Sequence, residues 1–108
     1  MVVMLEDKAA WDKAMQEAGD KLVVVDFTAT WCGPCKMIGP KFVEMEKEFP
    51  DAIFYKVDVD ENSDVAGAEG ISAMPTFKCY RNGKQVADMC GANETKLREM
   101  IKEQNGKK

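Results

Sequence analysis

Leu22-Val23-Val24-Val25-Asp26-Phe27, followed three residues later by Trp31-Cys32-Gly33-Pro34-Cys35, is the stretch that decides the fold. The first part is apolar and largely β-branched until Asp26, the pattern of a central strand covered on both faces. The second part sets two thiols two residues apart where a long helix is expected to open. Such a pair can close a small disulfide ring and reopen it, which is the core of dithiol–disulfide exchange. The position directly after a strand raises the pair above a bare pattern match.

The chain around this stretch has 108 residues, 45% of them hydrophobic and 31% charged, enough for one domain (1–108) with one core. The net charge of −4, without Lys/Arg clusters, argues against nucleic-acid binding. No segment approaches the roughly eighteen apolar residues of a membrane span. The opening Met1-Val2-Val3-Met4-Leu5-Glu6-Asp7 has neither a basic start nor a long apolar run, so it is not a secretory signal. These features predict a cytoplasmic protein, and Lys107-Lys108 reads as a frayed, solvated end. The four cysteines, Cys32, Cys35, Cys79 and Cys90, do not form a secreted disulfide framework. The absence of histidine excludes Cys–His catalysis and any zinc site that needs imidazole.

Residues 2–5 read as an edge strand, β1. Asp7 caps α1, whose apolar face is Trp11, Ala14, Met15 and Ala18 and which Gly19 ends. After β2 (22–27), α2 runs from the cysteines to about Phe49, with Ile38, Phe42, Met45 and Phe49 on one face. Pro40 inside it should kink it near Met37, and Pro50-Asp51 stop it. β3 covers 53–58. Ser63 is expected to cap α3 (65–69), which Gly70 ends. β4 (76–81) and β5 (84–89) are joined by Asn82-Gly83, the strongest local hairpin signal. Asn93 caps α4, with Leu97, Met100 and Ile101 inward. The order β-α-β-α-β-α-β-β-α predicts an α/β fold with parallel or mixed crossovers and an antiparallel edge.

A Cys-x-x-Cys beside such a pattern is already known as the signature of thioredoxin-like redox proteins. Trp31-Cys32-Gly33-Pro34-Cys35-Lys36 after Val25-Asp26-Phe27, with Met74-Pro75-Thr76-Phe77 and Gly91-Ala92-Asn93, resembles the thioredoxin family over essentially the whole chain. The similarity is greatest to cytosolic thioredoxins of animals. The resemblance implies a thioredoxin fold: a central mixed five-stranded sheet, order β1-β3-β2-β4-β5, with four helices on both faces.

Cys32 is the candidate nucleophile. The thiolate is the attacking form, and a helix N-terminus favours an anion by roughly 0.3–1 kcal/mol at exposed positions. Gly33 permits close backbone approach, and Pro34 suits a first helical turn that has no use for its missing donor. Cys35, one turn in, is the resolving thiol. A structural half-zinc site is the competing reading, but zinc usually takes four ligands and no second Cys-x-x-Cys is present.

Asp26 interrupts an apolar strand. If buried, its carboxyl pKa should rise and it can accept the Cys35 proton. The plainer alternative is a strand-end aspartate facing water. The resemblance implies burial, and places Lys56 on the neighbouring strand where it moderates the Asp26 charge. It further implies that Asp60 binds the Trp31 indole N–H, whereas a tryptophan alone is more often core. For Met74-Pro75 the residues alone predict a trans bond; the resemblance predicts cis, with the Met74 backbone free to pair with an extended substrate. Trp31, Met74, Pro75, Gly91 and Ala92 would then frame the substrate face. Asp58, Asp60, Glu61 and Asp64 read as a solvated loop face.

A two-residue turn at Asn82-Gly83 pairs Arg81 with Lys84, Cys79 with Val86 and Cys90 with Pro75. At about 3.3 Å per residue, Cys79 and Cys90 then lie beyond the roughly 7 Å a disulfide allows between Cα atoms. Cys79 is expected in the core with Phe77, and Cys90 near the active-site rim. Ala73 stands where many animal thioredoxins carry cysteine, which weakens any disulfide dimer built on that residue, and a monomer is expected.

The expected function is protein-disulfide reduction by Cys32 and Cys35, with no bound cofactor. The resemblance implies disulfide-containing protein substrates, and electrons from NADPH through a thioredoxin reductase. The alternative is a redox-dependent binding module that holds and releases a partner.

Overall fold

β2 (Val23–Thr28) is the spine of the molecule in the computed structural model, which describes residues 2–107. Met1 and Lys108, the second residue of the predicted frayed end, lie outside them. Around β2 the chain runs β1 (Val3–Met4), α1 (Lys8–Ala18), α2 (Gly33–Glu48), β3 (Ile53–Asp58), α3 (Ser63–Ala68), β4 (Thr76–Arg81), β5 (Lys84–Cys90) and α4 (Glu94–Asn105). The sheet order is β1-β3-β2-β4-β5; β3 is parallel to β1 and β2, and β4 antiparallel to β2 and β5.

The twofold periodicity of β2 divides the core. Leu22 and Val24 pack with Ile38, Phe42 and Met45 of α2 and Leu97 and Ile101 of α4. Val23, Val25 and Phe27 pack with Trp11, Ala14 and Ala18 of α1 and Val65 of α3. Helices therefore cover both faces, which is why β2 tolerates a continuous apolar run. Phe42 is the centre of the first layer, with ring centroids 5.1 Å from Phe54 and 5.6 Å from Phe77. Burying a side chain of this size is worth about 1.5–3 kcal/mol. Arg98 of α4 grips the Glu48 carboxylate at the end of α2 through two bonds, 2.8 and 2.9 Å, tying the two helices together.

The caps follow local chemistry. Asp7 accepts from Ala10 N–H at 2.8 Å and Asn93 from Lys96 N–H at 3.0 Å. Two expectations need correction. Ser63 is the first residue of α3, not its cap; Asn62 holds that position, and its side chain instead donates to Leu5 O at 3.1 Å. The β4–β5 register also differs. Arg81 faces Lys84 and Tyr80 faces Gln85, but Cys79 faces Ala87 rather than Val86, and Cys90 faces Thr76 rather than Pro75. A bulge leaves Val86 as the extra residue. A regular ladder would have set Asp88 against Phe77 in the core, since a one-residue slip exchanges the faces of a strand. The bulge puts Met89 there and Asp88 opposite Lys78. Cys79 and Cys90 remain separate free thiols, the first buried with Phe77 and the second exposed.

Candidate active site

Cys32 ends the β2–α2 connection as the N-cap of α2. Its backbone is extended, its N–H donates to Ala29 O at 3.2 Å, and its Sγ accepts from Cys35 N–H at 3.2 Å. Pro34 occupies the first turn, where no intrahelical donor is needed. Cys35 lies one turn on, its Cα 5.3 Å from that of Cys32, and the two are joined as a disulfide. The pair is only 5% and 3% exposed and packs with Ala29, Val59 and Met74. Gly33 and Pro34 are exposed beside it.

Trp31 projects from the same turn, 65% exposed, so core packing does not explain it. Its Nε1–H donates to Asp60 Oδ2 at 2.8 Å. Asp60 is itself positioned by Asp58, a residue the loop-face reading misplaces. Asp58 is buried, and its Oδ1 accepts from the N–H of Asp60 at 2.9 Å and of Glu61 at 3.2 Å. Glu61 and Asp64 are exposed, as a solvated face requires. An aspartate at a strand end that can close such an Asx turn is the local signal for Asp58.

Asp26 faces the α2 side of the sheet, in line with Leu22 and Val24. It is 1% exposed, and among the described residues Oδ1 has no hydrogen-bond partner. The strand-end, water-facing alternative is therefore wrong. A cleft of about 410 Å³ connects it to Cys35, with Lys36, Pro40, Val43 and Lys56 among its walls. Burial raises the Asp26 carboxyl from 3.8 to about 7, and the Lys56 ammonium on β3 acts in the opposite direction. A carboxyl of that pKa exchanges its proton near neutral pH.

The Met74–Pro75 bond is cis. Pro75 is buried and Met74 half-buried against the disulfide. The bonds that hold this turn run from Thr76 Oγ1–H to Ala73 O, 2.6 Å, and from Gly91 N–H to Pro75 O, 2.9 Å. Neither engages the Met74 backbone. Gly91 has φ +96°, a conformation that favours glycine, and lies beside this turn through its bond to Pro75 O, while Ala92 packs on the α2/α4 side of the core. Cys90 joins the rim through a 3.3 Å contact of its Sγ with Thr76 Oγ1. Among the described residues, no three acidic or cysteine side chains converge as metal ligands. No helix among them is long and apolar enough to cross a membrane.

Comparison with known proteins agrees with this geometry. The thioredoxin family model matches residues 2–103. A thioredoxin of Geodia cydonium is 65% identical over 103 residues, covering 94% of this chain and 97% of the relative. The thioredoxin of Homo sapiens is 48% identical, covering 95% and 98%. The X-ray structure of Fasciola hepatica thioredoxin superposes with a TM-score of 0.91 at 48% identity, covering 95% of this chain and 98% of that one. Reduction of disulfides is favoured over the binding-module alternative. At this identity and coverage the chain belongs to the thioredoxin family, and its Cys32–Cys35 pair makes it a thiol–disulfide oxidoreductase.

Proposed function

We propose that Cys32 is the nucleophile and Cys35 the resolving thiol in the reduction of partner proteins. Reduced Cys32 attacks a substrate sulfur, forming a mixed disulfide and expelling one substrate thiolate. Asp26 takes the Cys35 proton, Cys35 attacks Cys32 Sγ, and the second substrate thiolate leaves. Two electrons pass to the substrate, and the Cys32–Cys35 disulfide closes. The two thiols carry the whole exchange, so no bound cofactor is required. The observation that carries this reading is the bonded cysteine pair at the start of α2 with buried Asp26 beside Cys35 in one cleft.

Trp31, Met74, Pro75, Gly91 and Ala92 frame the substrate face. Among the described residues no loop backbone bond engages Met74, which suits pairing with an extended substrate segment, while Asp60 fixes the Trp31 ring and Lys56 tempers Asp26. Gly33 leaves the approach to Cys32 open. Family membership supports reduction by a thioredoxin reductase with NADPH, in the cytoplasm, by residues 1–108 acting as a monomeric domain. The test is NADPH oxidation by the chain, a thioredoxin reductase and a disulfide-bonded protein. Turnover should need all three and vanish in Cys32→Ser; a Cys32→Ser variant at the parent rate overturns the assignment.

A further inference from the structure

Three successive same-face side chains of β4 reach back to the segment that precedes the strand. Thr76 Oγ1–H donates to Ala73 O at 2.6 Å. Lys78 Nζ donates to Glu69 O at 2.7 Å and to Gln85 Oε1 of β5 at 2.8 Å. The Tyr80 hydroxyl donates to the Glu69 carboxylate. The segment from Glu69 to Ala73 is thus tied at both ends, by Lys78 and Tyr80 at Glu69 and by Thr76 at Ala73. Between the ties, Ile71 N–H bonds Ala66 O at 3.0 Å; just beyond them, Met74 packs against the disulfide.

Lys78 is the unexpected member. It is 8% exposed and lies on the α1/α3 face of the sheet, where Tyr80 of β4 and Val25 of β2, the cross-strand neighbour of Lys78, are core residues. A buried ammonium is costly unless its donors are satisfied, and an apolar residue would suit such a site at least as well for stability alone. What an apolar residue cannot do is hold a carbonyl. Glu69 O lies at the C-terminal end of α3, where the helix dipole favours a cation.

We propose that Lys78 is a positioning residue for protein substrates: by holding Glu69 at the end of α3, it sets where residues 71–75 present Met74 and Pro75 beside Cys32. The inference rests on the assignment of Met74-Pro75 to the substrate face. It separates two substrate classes. A small symmetric disulfide such as hydroxyethyl disulfide needs only the Cys32–Cys35 pair and its proton acceptor. A protein disulfide must also lie along Met74-Pro75, and feels a displaced loop.

The test is steady-state reduction of insulin and of hydroxyethyl disulfide by Lys78→Met, Lys78→Arg, Tyr80→Phe and Met74→Ala. Lys78→Met should raise KM for insulin about three- to tenfold, with kcat within about twofold and the hydroxyethyl disulfide rate unchanged. Lys78→Arg, which keeps a cationic donor, should recover most of the insulin KM. Tyr80→Phe keeps the packing and releases the Glu69 side chain; a smaller rise in the same direction is expected, and it stands in if Lys78→Met does not fold. An insulin KM unchanged in the folded Lys78 and Tyr80 variants overturns the proposal, as does equal loss on both substrates. Met74→Ala separates the two readings. If it raises the insulin KM and Lys78→Met does not, positioning fails and the substrate face stands. If Lys78→Met raises it and Met74→Ala does not, the loop is positioned by Lys78 but the Met74 side chain is not part of the substrate face.

Discussion

Asp26 of β2 and Lys56 of β3 are direct partners in the parallel register, and both line the cleft that reaches Cys35. The pairing is incomplete by design of the sheet. Burial dominates, so the carboxyl sits at about 7 despite the neighbouring ammonium. A fully paired aspartate would stay ionised and a fully isolated one would stay neutral through the physiological range. The intermediate arrangement is the one the proposed proton transfer from Cys35 calls for.

Asp26→Asn should stabilise the protein at neutral and alkaline pH. The folded carboxyl pKa lies above the unfolded one, so the parent loses stability as pH rises from about 4 to about 7, and the penalty is absent below both values. The full gap corresponds to on the order of 4 kcal/mol, and relaxation of the variant will reduce what is measured. Urea denaturation at pH 4 and pH 8 should show a gain at pH 8 only. Stopped-flow reduction of a protein disulfide should be slower. No gain at pH 8 together with the parent rate would remove Asp26 from the mechanism.

Lys56→Met should move the same carboxyl further up, because the opposing ammonium is gone. Carbon-13 NMR of the carboxyl should show a midpoint above that of the parent. A midpoint that falls would mean Lys56 is not the charge Asp26 feels.

Cys35→Ser should accumulate mixed disulfides through Cys32, since the resolving attack is missing. Non-reducing gels followed by mass mapping should find the partner on Cys32 in most of the trapped protein. Recovery of free Cys32 and no adduct after exposure to a protein disulfide would count against exchange.

In the oxidised protein, Cys90 should react with a thiol reagent under native conditions and Cys79 only after denaturation. Cys90 is exposed, whereas burial shields Cys79 and pushes its thiol up to about 12. One fast thiol and a second on adding guanidinium is the expected titration. A peptide joining Cys79 to Cys90 would contradict the observed register.

Asp58→Ala should loosen Trp31 without touching the cysteines. The variant loses two hydrogen bonds to the Asp60 turn, worth about 0.5–1.5 kcal/mol each, and Asp60 no longer presents a fixed acceptor to the indole. Trp31 fluorescence anisotropy should fall and KM for a protein disulfide rise a few-fold. Unchanged anisotropy would mean that Trp31 is held by something other than this turn.

Much of this molecule is written locally. The apolar run of β2, the Asp7 and Asn93 caps, the Asn82-Gly83 hairpin and the two thiols at a helix start are each carried by residues within a few positions of one another. Propensity, capping and turn chemistry act at that range, so element order and the reactive pair are legible in the chain. The cis Met74–Pro75 bond was not legible from residue chemistry, which favours trans, and came only with the family resemblance.

The rest depends on what distant parts of the chain bring together. Alternation says that Asp26 shares a face with Val24, but whether that face is dry depends on α2 lying over it. Asp58 looks like one more loop acid until the Asp60 and Glu61 amides turn toward it. Lys78 carries no local mark of burial; its partners appear only where α3 ends beside it. The bulge at Val86 has no local marker; it forms because the sheet must set Met89 and not Asp88 against Phe77. A polar group's burial, charge state and partner are properties of the assembled layers. The sequence alone determined which residues are available for the chemistry; packing across the sheet decided which of them are buried, paired or left to exchange a proton.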